Sequence, residues 1–375
     1  MTLGRWVGVP AAIFFAAGTF MWRSVPAMSA PSFAERTNVP ALHSVNAQQT
    51  LMTAVTRAGE RLVSVGDRGT ILLSDDHGGH WRQAKVVPAS VTLTNVAFVS
   101  PRVGWAVGHG GIVLRSADGG ETWSKQLDGI RAAQIELDAA TQAAAAAPTE
   151  RSTARRLREA QRLTAAGPDK PFLDLHFFDD SHGVVIGAYG LAFVTHDGGI
   201  TWRSLIGGID NPGGRHLVDF LKAESGLYIA GEQGLVLRSA DGGETFATIE
   251  TPSRGTFFGI LDASDGAILA FGLRGAIYRT TDAGASWQKI DVPEVSINGG
   301  TRLEDGELVL VDELGNVLLS HDDGLSFASL PVPQATSLVA VTQATDGGLI
   351  LAGVRGNVRM ALKDKNDKPG EETRR

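Results

Sequence analysis

Six aspartates share one setting in this sequence. Asp76, Asp118, Asp197, Asp241, Asp282 and Asp322 each follow a Ser or Thr by two residues, precede a Gly by two and precede a Trp or Phe by five. A short carboxylate among glycines can ligate a cation, sit beside a phosphate cradle or act as a general acid. The order needed for an EF-hand, with its bidentate Glu at position twelve, is absent. Repetition also argues against catalysis, which needs its groups once and converging. The local reading is a turn satisfying itself: the carboxylate accepts from nearby backbone N–H groups and the Ser or Thr donates to it. The aromatic residue, Trp81, Trp123, Trp202 or Trp287 in the stronger copies, is then expected to pack on its own sheet, worth about 2–3 kcal/mol of apolar burial. No metal site and no cofactor follow from these turns.

These turns have to be carried by something that recurs. Each is preceded by a G-x-x-G phrase, beginning at Gly66, Gly108, Gly187, Gly231 and Gly272, with a weaker copy at Asp312 and a truncated one at Gly353. The spacing of about 42 residues, with alternating apolar positions and Gly turns, predicts one four-stranded blade per repeat. In the second copy the strands fall at 94–100, 104–108, 111–116 and 122–127. The middle pair of G-x-x-G is read as a two-residue hairpin, with Gly supplying the positive φ of a primed turn. The fold class is therefore all-β, a seven-bladed β-propeller. Its seventh repeat ends after the third strand, and an open edge invites aggregation. The segment from Ser32 to Ala47 is expected to supply the fourth strand and close the ring.

The chain has 375 residues, a formal net charge of −7 and no cysteine. The charge argues against a nucleic-acid partner. The missing cysteine excludes disulfides, a thiol nucleophile, Cys-ligated zinc and a lipidated cysteine within this sequence. Arg5, an apolar run from Trp6 to Trp22 and the small residues after it read as an export signal over 1–30, cleaved or retained as a membrane anchor. The propeller is expected over 31–362 and a disordered charged tail over 363–375.

One interval, between Trp123 and Trp202, is about twice the period. Residues 128–170 are inserted there. An Ala-rich stretch ends at Pro148, and a second stretch begins near Thr149 as a candidate N-cap, with Leu157, Ala160 and Leu163 forming an apolar stripe. Two antiparallel helices are predicted. The second carries Arg151, Arg155, Arg156, Arg158 and Arg162, which form either a solvated face or a docking arm for an acidic partner or lipid headgroups. By topology the hairpin leaves on the face of the G-x-x-G turns, opposite the Asp turns. On that face Arg68, His109, Tyr189, Arg274 and Arg355 are expected to rim the channel and meet a partner.

The phrases "FVSPRVGWAVGHGGIVLRSADGGETW" and "FFDDSHGVVIGAYGLAFVTHDGGITW" resemble the repeat of the photosystem II stability/assembly factor family. That family belongs to the wider group of Asp-box (BNR) propellers that includes sialidases and sortilin-type receptors. The resemblance covers roughly residues 50 to 360. It implies a seven-bladed, extracytoplasmic, non-enzymatic protein that helps assemble membrane complexes, with bacterial copies outside photosynthesis accompanying membrane transport systems. The partner is then a membrane protein complex or an exported protein, the location periplasmic, and the protein monomeric on its own. The competing expectation is a sialidase-like or other glycoside hydrolase. It would need a Tyr nucleophile with an acid partner, or two facing carboxylates, for instance among Asp67, Glu232 and Glu313. Only Tyr189, Tyr228 and Tyr278 are present, and the N-terminal arginine motif of sialidases is missing.

Overall fold

The protein is described by a computed structural model covering residues 33–332 and 336–362. The expected export segment, the charged tail and Ser32 lie outside these residues. After a short helical turn, α1 (Phe33–Arg36), the first sheet is built from β1 (Met52–Ala58), β2 (Arg61–Gly66), β3 (Ile71–Ser74) and β4 (Arg82–Gln83). The same up-and-down order recurs over 93–127, 172–204, 217–249, 257–289 and 297–330, and a three-stranded sheet occupies 338–360. The architecture is a β-propeller. Second strands such as Gly104–Gly108 and Gly183–Gly187 are buried along their whole length. They read as continuous apolar runs because both of their faces are covered.

The apolar core is divided by interface rather than by sheet. One cluster joins the first and second sheets through Leu73, Val96, Leu114 and Trp123. Another joins the second and third through Trp105, Phe177 and Trp202. The series ends with Ile350 and Ala352 of the last sheet packed on Met52, Leu62, Leu72 and Trp81 of the first. The Asp-turn aromatics were expected to pack on their own sheets. Instead each wedges between its sheet and the preceding one: Trp123 stands edge-on to Phe98, and Gly120, beside it, faces Leu73 of the first sheet. A sheet this short leaves too little of its own surface to cover an indole, whereas the cleft toward its neighbour does.

In five of the seven copies the G-x-x-G turn is displaced by one position from the expected hairpin, while in the last two, where Gly315 N donates to Asp312 O at 3.1 Å and Gly353 pairs with Gly356, it stays on the expected middle pair with neither central residue left-handed. Thr70 N donates to Asp67 O at 2.9 Å, and the residues between them, Arg68 (φ 53°) and Gly69 (φ 73°), are both left-handed. That is a type I′ turn centred on the third and fourth residues of the phrase. Tyr189, Gln233 and Arg274 hold the same conformation without being glycine. The first glycine has a different task, because a Cβ on Gly66 would lie 2.1 Å from Leu51 O at the entry to β1.

The seventh sheet does not gain the expected fourth strand. Among the described residues it keeps three, and the N-terminal segment runs instead along the outer edge of the first sheet. There Gln83 Oε1 accepts from Ser44 N at 2.7 Å, and Ala41 N donates to Val87 O at 3.0 Å. It then meets the last strand, Gly356–Met360, through the 3-10 turn Ala47–Gln49. A Cβ on Gly356 would be 1.9 Å from Gln48 O, just as one on Gly69 would be 2.1 Å from Ala89 O in the link between the first two sheets. The N-terminal segment therefore fills the seat of an intersheet connector. Asn38, Pro40, Ser44 and Asn46 suit such a seat better than a ladder strand.

The insertion forms α2 (Gly129–Ala146) and α3 (Arg151–Ala166), which pack on each other. Asp128 caps α2 by accepting from Arg131 N at 3.1 Å. Thr149 does not cap α3; Glu150 stands at that position with no side-chain cap bond. Ala160 is buried, and Leu163, with Ala132 and Ile135 of α2, packs on the core between the second and third sheets.

Candidate interaction face

The two ends of the propeller carry different chemistry. At one end lie the Asp turns. Asp118 Oδ1 accepts from Ser116 Oγ at 2.8 Å and Thr122 N at 3.0 Å, and its Oδ2 accepts from Thr122 Oγ1 at 2.6 Å. Asp197, Asp241, Asp282 and Asp322 repeat this set, and in Asp76 the ring of His80 takes the place of the hydroxyl. The same bonds hold the carboxylates ionised. The Ser286 hydroxyl and N–H bring Asp282 down to about 2. Thr201 and Ser326 lower Asp197 and Asp322, and the His80 N–H and ring lower Asp76. For Asp118 partial burial pushes upward, and the bonds from Thr122 and Ser116 outweigh it. Every one of these acids is engaged by its own turn.

At the other end the G-x-x-G turns form a crest. Arg68, Tyr189, Gln233, Arg274, Leu314 and Arg355 occupy the third position of their turns and are exposed, Arg68 with 83% of its side chain and Tyr189 at 61%. His109 does not belong with them. It stands at the second position, half-buried, and its desolvation lowers its pKa against a smaller upward pull from Asp67. The third position of that turn is Gly110, which is buried and faces the root of the inserted hairpin; a Cβ on Gly129 would be 2.9 Å from Gly110 O. Gln233 and Leu314 were missed from sequence, although their place in the phrase marks them as equivalents of Arg68.

The hairpin lies over the third sheet and shapes a groove of about 750 Å³ between α3 and the Gly-rich connector 206–214. The five arginines of α3 separate here into two groups. Arg156 turns inward. Its Nε and Nη2 each meet a Glu136 carboxylate oxygen at 2.8 Å, and Glu136 also accepts from Ser204 Oγ in the outer strand beneath. Arg156 is therefore a tether of the hairpin and not a free docking residue. Gly207 makes room for it, since a Cβ there would lie 2.2 Å from Arg156 Nη1. Arg162 pairs with Glu159 at 2.9 Å. Arg151, Arg155 and Arg158 are exposed and pair with no carboxylate among the described residues. At the crest end of the groove, Lys170 Nζ lies 5.0 Å from the Tyr189 ring centroid, and that ring meets His216 edge-on. The connector itself is held by Asn211, which accepts from Arg215 N at 3.0 Å and donates to Arg215 O at 2.8 Å.

The residues a hydrolase would use are otherwise occupied. Tyr228 is fully buried, its hydroxyl 2.9 Å from Ser225 Oγ, and Tyr278 packs edge-on to Phe257. Asp67 accepts from Thr92 Oγ1, Glu232 from His216 N and Glu313 from Ser296 N, each tying its turn to an adjoining loop. A carboxylate pair that sequence reading missed lies on the inner strands. Asp174 accepts from Asn95 Nδ2 at 2.5 Å and Phe220 N at 2.7 Å, and Asp219 accepts from Ile260 N at 2.7 Å. Burial, and then the neighbouring Asp174 charge, push Asp219 well above the carboxylate range, and Asp174 is raised by burial. These side chains lace successive sheets together around the ring.

Comparison with known proteins is consistent in kind. The family model described as "Photosynthesis system II assembly factor YCF48" matches residues 154–368. The photosystem II assembly lipoprotein Ycf48 of a Synechococcus strain is 31% identical over 161 residues, 40% of this chain and 46% of that protein. The chloroplastic photosystem II stability/assembly factor HCF136 of Arabidopsis thaliana is 26% identical over 266 residues, 60% of this chain and 63% of that one. The chain thus spans about half the length of the Synechococcus relative it matches. A solved structure described as YCF48 bound to D1 peptide superposes with a TM-score of 0.62 at 16% identity, covering 87% of this chain and all of the other. The Synechococcus protein is named a lipoprotein, whereas these 375 residues contain no cysteine to carry a lipid. On the strength of the matched model, which takes in more than half of the sequence, this chain belongs to the YCF48-type family of photosystem II assembly factors.

Proposed function

We propose that this protein is a non-catalytic, extracytoplasmic scaffold, a seven-bladed ring that holds a component of a membrane protein complex, such as a transport system, during assembly. The observation that carries the reading is the shared face: an exposed cationic and apolar crest stands at the same end as a tethered helical hairpin that the core does not need. Family membership supports the assembly role, and the solved relative described with a D1 peptide supports recognition of a polypeptide. The export-like first 30 residues support a periplasmic location, with the chain monomeric until it meets its partner. No observation favours the hydrolase, since Tyr228 and Tyr278 are packed away and the crest carboxylates hold loops.

The test is affinity capture from solubilised membranes with the full chain and with residues 128–170 replaced by a short Gly-Ser link. The scaffold reading expects one membrane-complex subunit to be enriched by the full chain. Failure to retain any membrane protein, or clear turnover in a glycoside and sialoside screen, would sink it.

A further inference from the structure

The rim of the ring carries an apolar strip that the core does not use. Along the outer edge of the first sheet, Ala41 packs on the core between the first two sheets and Ala47 on the core between the first and the last. The aliphatic residues set among them face water: Val45 is 99% exposed, Leu42 82% and Val39 36%. Ala41 N donates to Val87 O at 3.0 Å and the His43 ring lies 3.4 Å from Lys85 O, so Leu42 stands opposite Val86, itself 52% exposed. The strip is flanked by the exposed Arg36 and by Lys85, which also meets Glu121 at 3.4 Å. Exposed apolar residues that stand singly need no account. Ile200 and Leu325 stand that way, on the Asp turns of the third and sixth sheets. Aliphatic residues grouped on one edge mark a contact surface.

We propose that this strip is the surface by which the ring rests on a phospholipid bilayer, with Leu42, Val45 and Val86 reaching the acyl boundary and Arg36 and Lys85 the headgroups. The inference is independent of the scaffold reading. The occupant follows from the residues upstream. The run from Trp6 to Trp22 contains no charged residue, and a run of that length and composition partitions into a bilayer. Residues 23–32, which join it to the strip, reach about 35 Å when fully extended. The strip is therefore the part of the ring held nearest to the lipid. Its chemistry suits a fluid apolar medium: aliphatic side chains with no polar group among them to fix a register, and long cationic side chains at the margin. Because the strip lies on the rim, the ring stands edge-on to the bilayer, and the crest and the Asp turns both remain in water.

A chain without cysteine can be labelled at one chosen place. Leu42→Cys, Val45→Cys, Val86→Cys, Ile200→Cys and Leu314→Cys are made singly in the full chain and labelled with an environment-sensitive fluorophore. Each is reconstituted in vesicles of phosphatidylethanolamine and phosphatidylglycerol that carry nitroxide groups on their acyl chains. These side chains are all exposed, so the label disturbs no core, and circular dichroism of each variant checks this. The expected result is blue-shifted emission, with nitroxide quenching roughly twofold or more stronger at positions 42, 45 and 86 than at 200 and 314. Aqueous iodide should quench in the opposite order. Equal nitroxide quenching at all positions, or the strongest at 200 or 314, would overturn the proposal. Leu42→Asp with Val45→Asp should abolish the nitroxide quenching at 86; if it persists, the upstream run alone holds this edge near lipid and the strip is refuted. Protection of position 42 from iodide in detergent, with a doubled mass, would assign the strip to a second copy and refute the bilayer. Capture of a membrane-complex subunit is a separate measurement, so the scaffold reading stands or falls without this one.

Discussion

Replacing Arg156 with Ala should release the helical hairpin without unfolding the propeller. Glu136 has 3% of its side chain exposed and Arg156 21%, and the two share a bidentate contact with both distances at 2.8 Å. Truncating one member of a buried pair costs about 3–5 kcal/mol, because the other charge stays buried without compensation. With Arg156 one-fifth exposed the lower end applies, about 3 kcal/mol. Ser204 alone then remains on the carboxylate. The loss falls on a local unit, since α2 and α3 are held on the ring by Ala132, Ile135 and Leu163, by Arg131 donating to Gln126 O and Ile200 O, and by this pair. Native-state hydrogen exchange should show amides of 129–166 losing about a hundredfold in protection while the second strands keep theirs. Glu136→Gln with Arg156→Met should recover most of it, since a matched neutral pair leaves no buried charge. Unchanged protection in Arg156→Ala, or a double variant no better than the single one, would refute the tether.

Other outcomes follow from the same geometry. Gly356→Ala should loosen the N-terminal segment, read as faster proteolysis between residues 36 and 49, because its Cβ meets Gln48 O. Gly347→Ala, with φ 87° and nothing within 4 Å, should cost only the backbone strain of about 1 kcal/mol. Trp123→Ala should destabilise by about 3–5 kcal/mol and lower the denaturation midpoint, since it empties a cleft between two sheets. The carboxylates predict opposite pH slopes. Those of the Asp turns are held low, so their stabilisation is present above the ordinary Asp range and is lost as pH falls toward about 2, the value for Asp282. Asp219 is held high, so the stability of its bound proton is full at acid pH and lost as pH rises through its raised value. Asp219→Asn should weaken that second slope in a urea titration across pH, leaving the part due to Asp174, and leave the acid limb intact.

The fold was legible because its repeat is written in sterics. The first glycine of six of the seven phrases faces a carbonyl, the aspartate of each complete copy collects its own turn's donors, and the aromatic fills a cleft, so each residue type is fixed locally. Closure was not legible: a 3-10 turn in a connector's seat has no period, and only Gly356's approach to Gln48 reveals it. The site was half legible. The crest arginines could be placed by counting along the phrase, and the same counting would have put His109 one position off the crest. That Arg156 faces inward depends on Glu136, twenty positions earlier, and on Ser204, in a strand beyond the insertion. No local pattern carries such a triangle, nor the buried carboxylate pair that Asp174 and Asp219 make on two neighbouring inner strands.

The seat taken by Gln48 has a topological consequence. Because the stretch before β1 packs as any intersheet link does, the molecule is a cycle whose opening falls at one of seven similar links. Fusing residue 362 to residue 46 and cutting at another link, such as the Ser253–Gly255 stretch, would give a circular permutant that keeps the sheet-to-sheet neighbours and gives up only the contacts of residues 33–45 with the first sheet. What distinguishes one sector of the ring from another is then the inserted hairpin and the third residues of the turns.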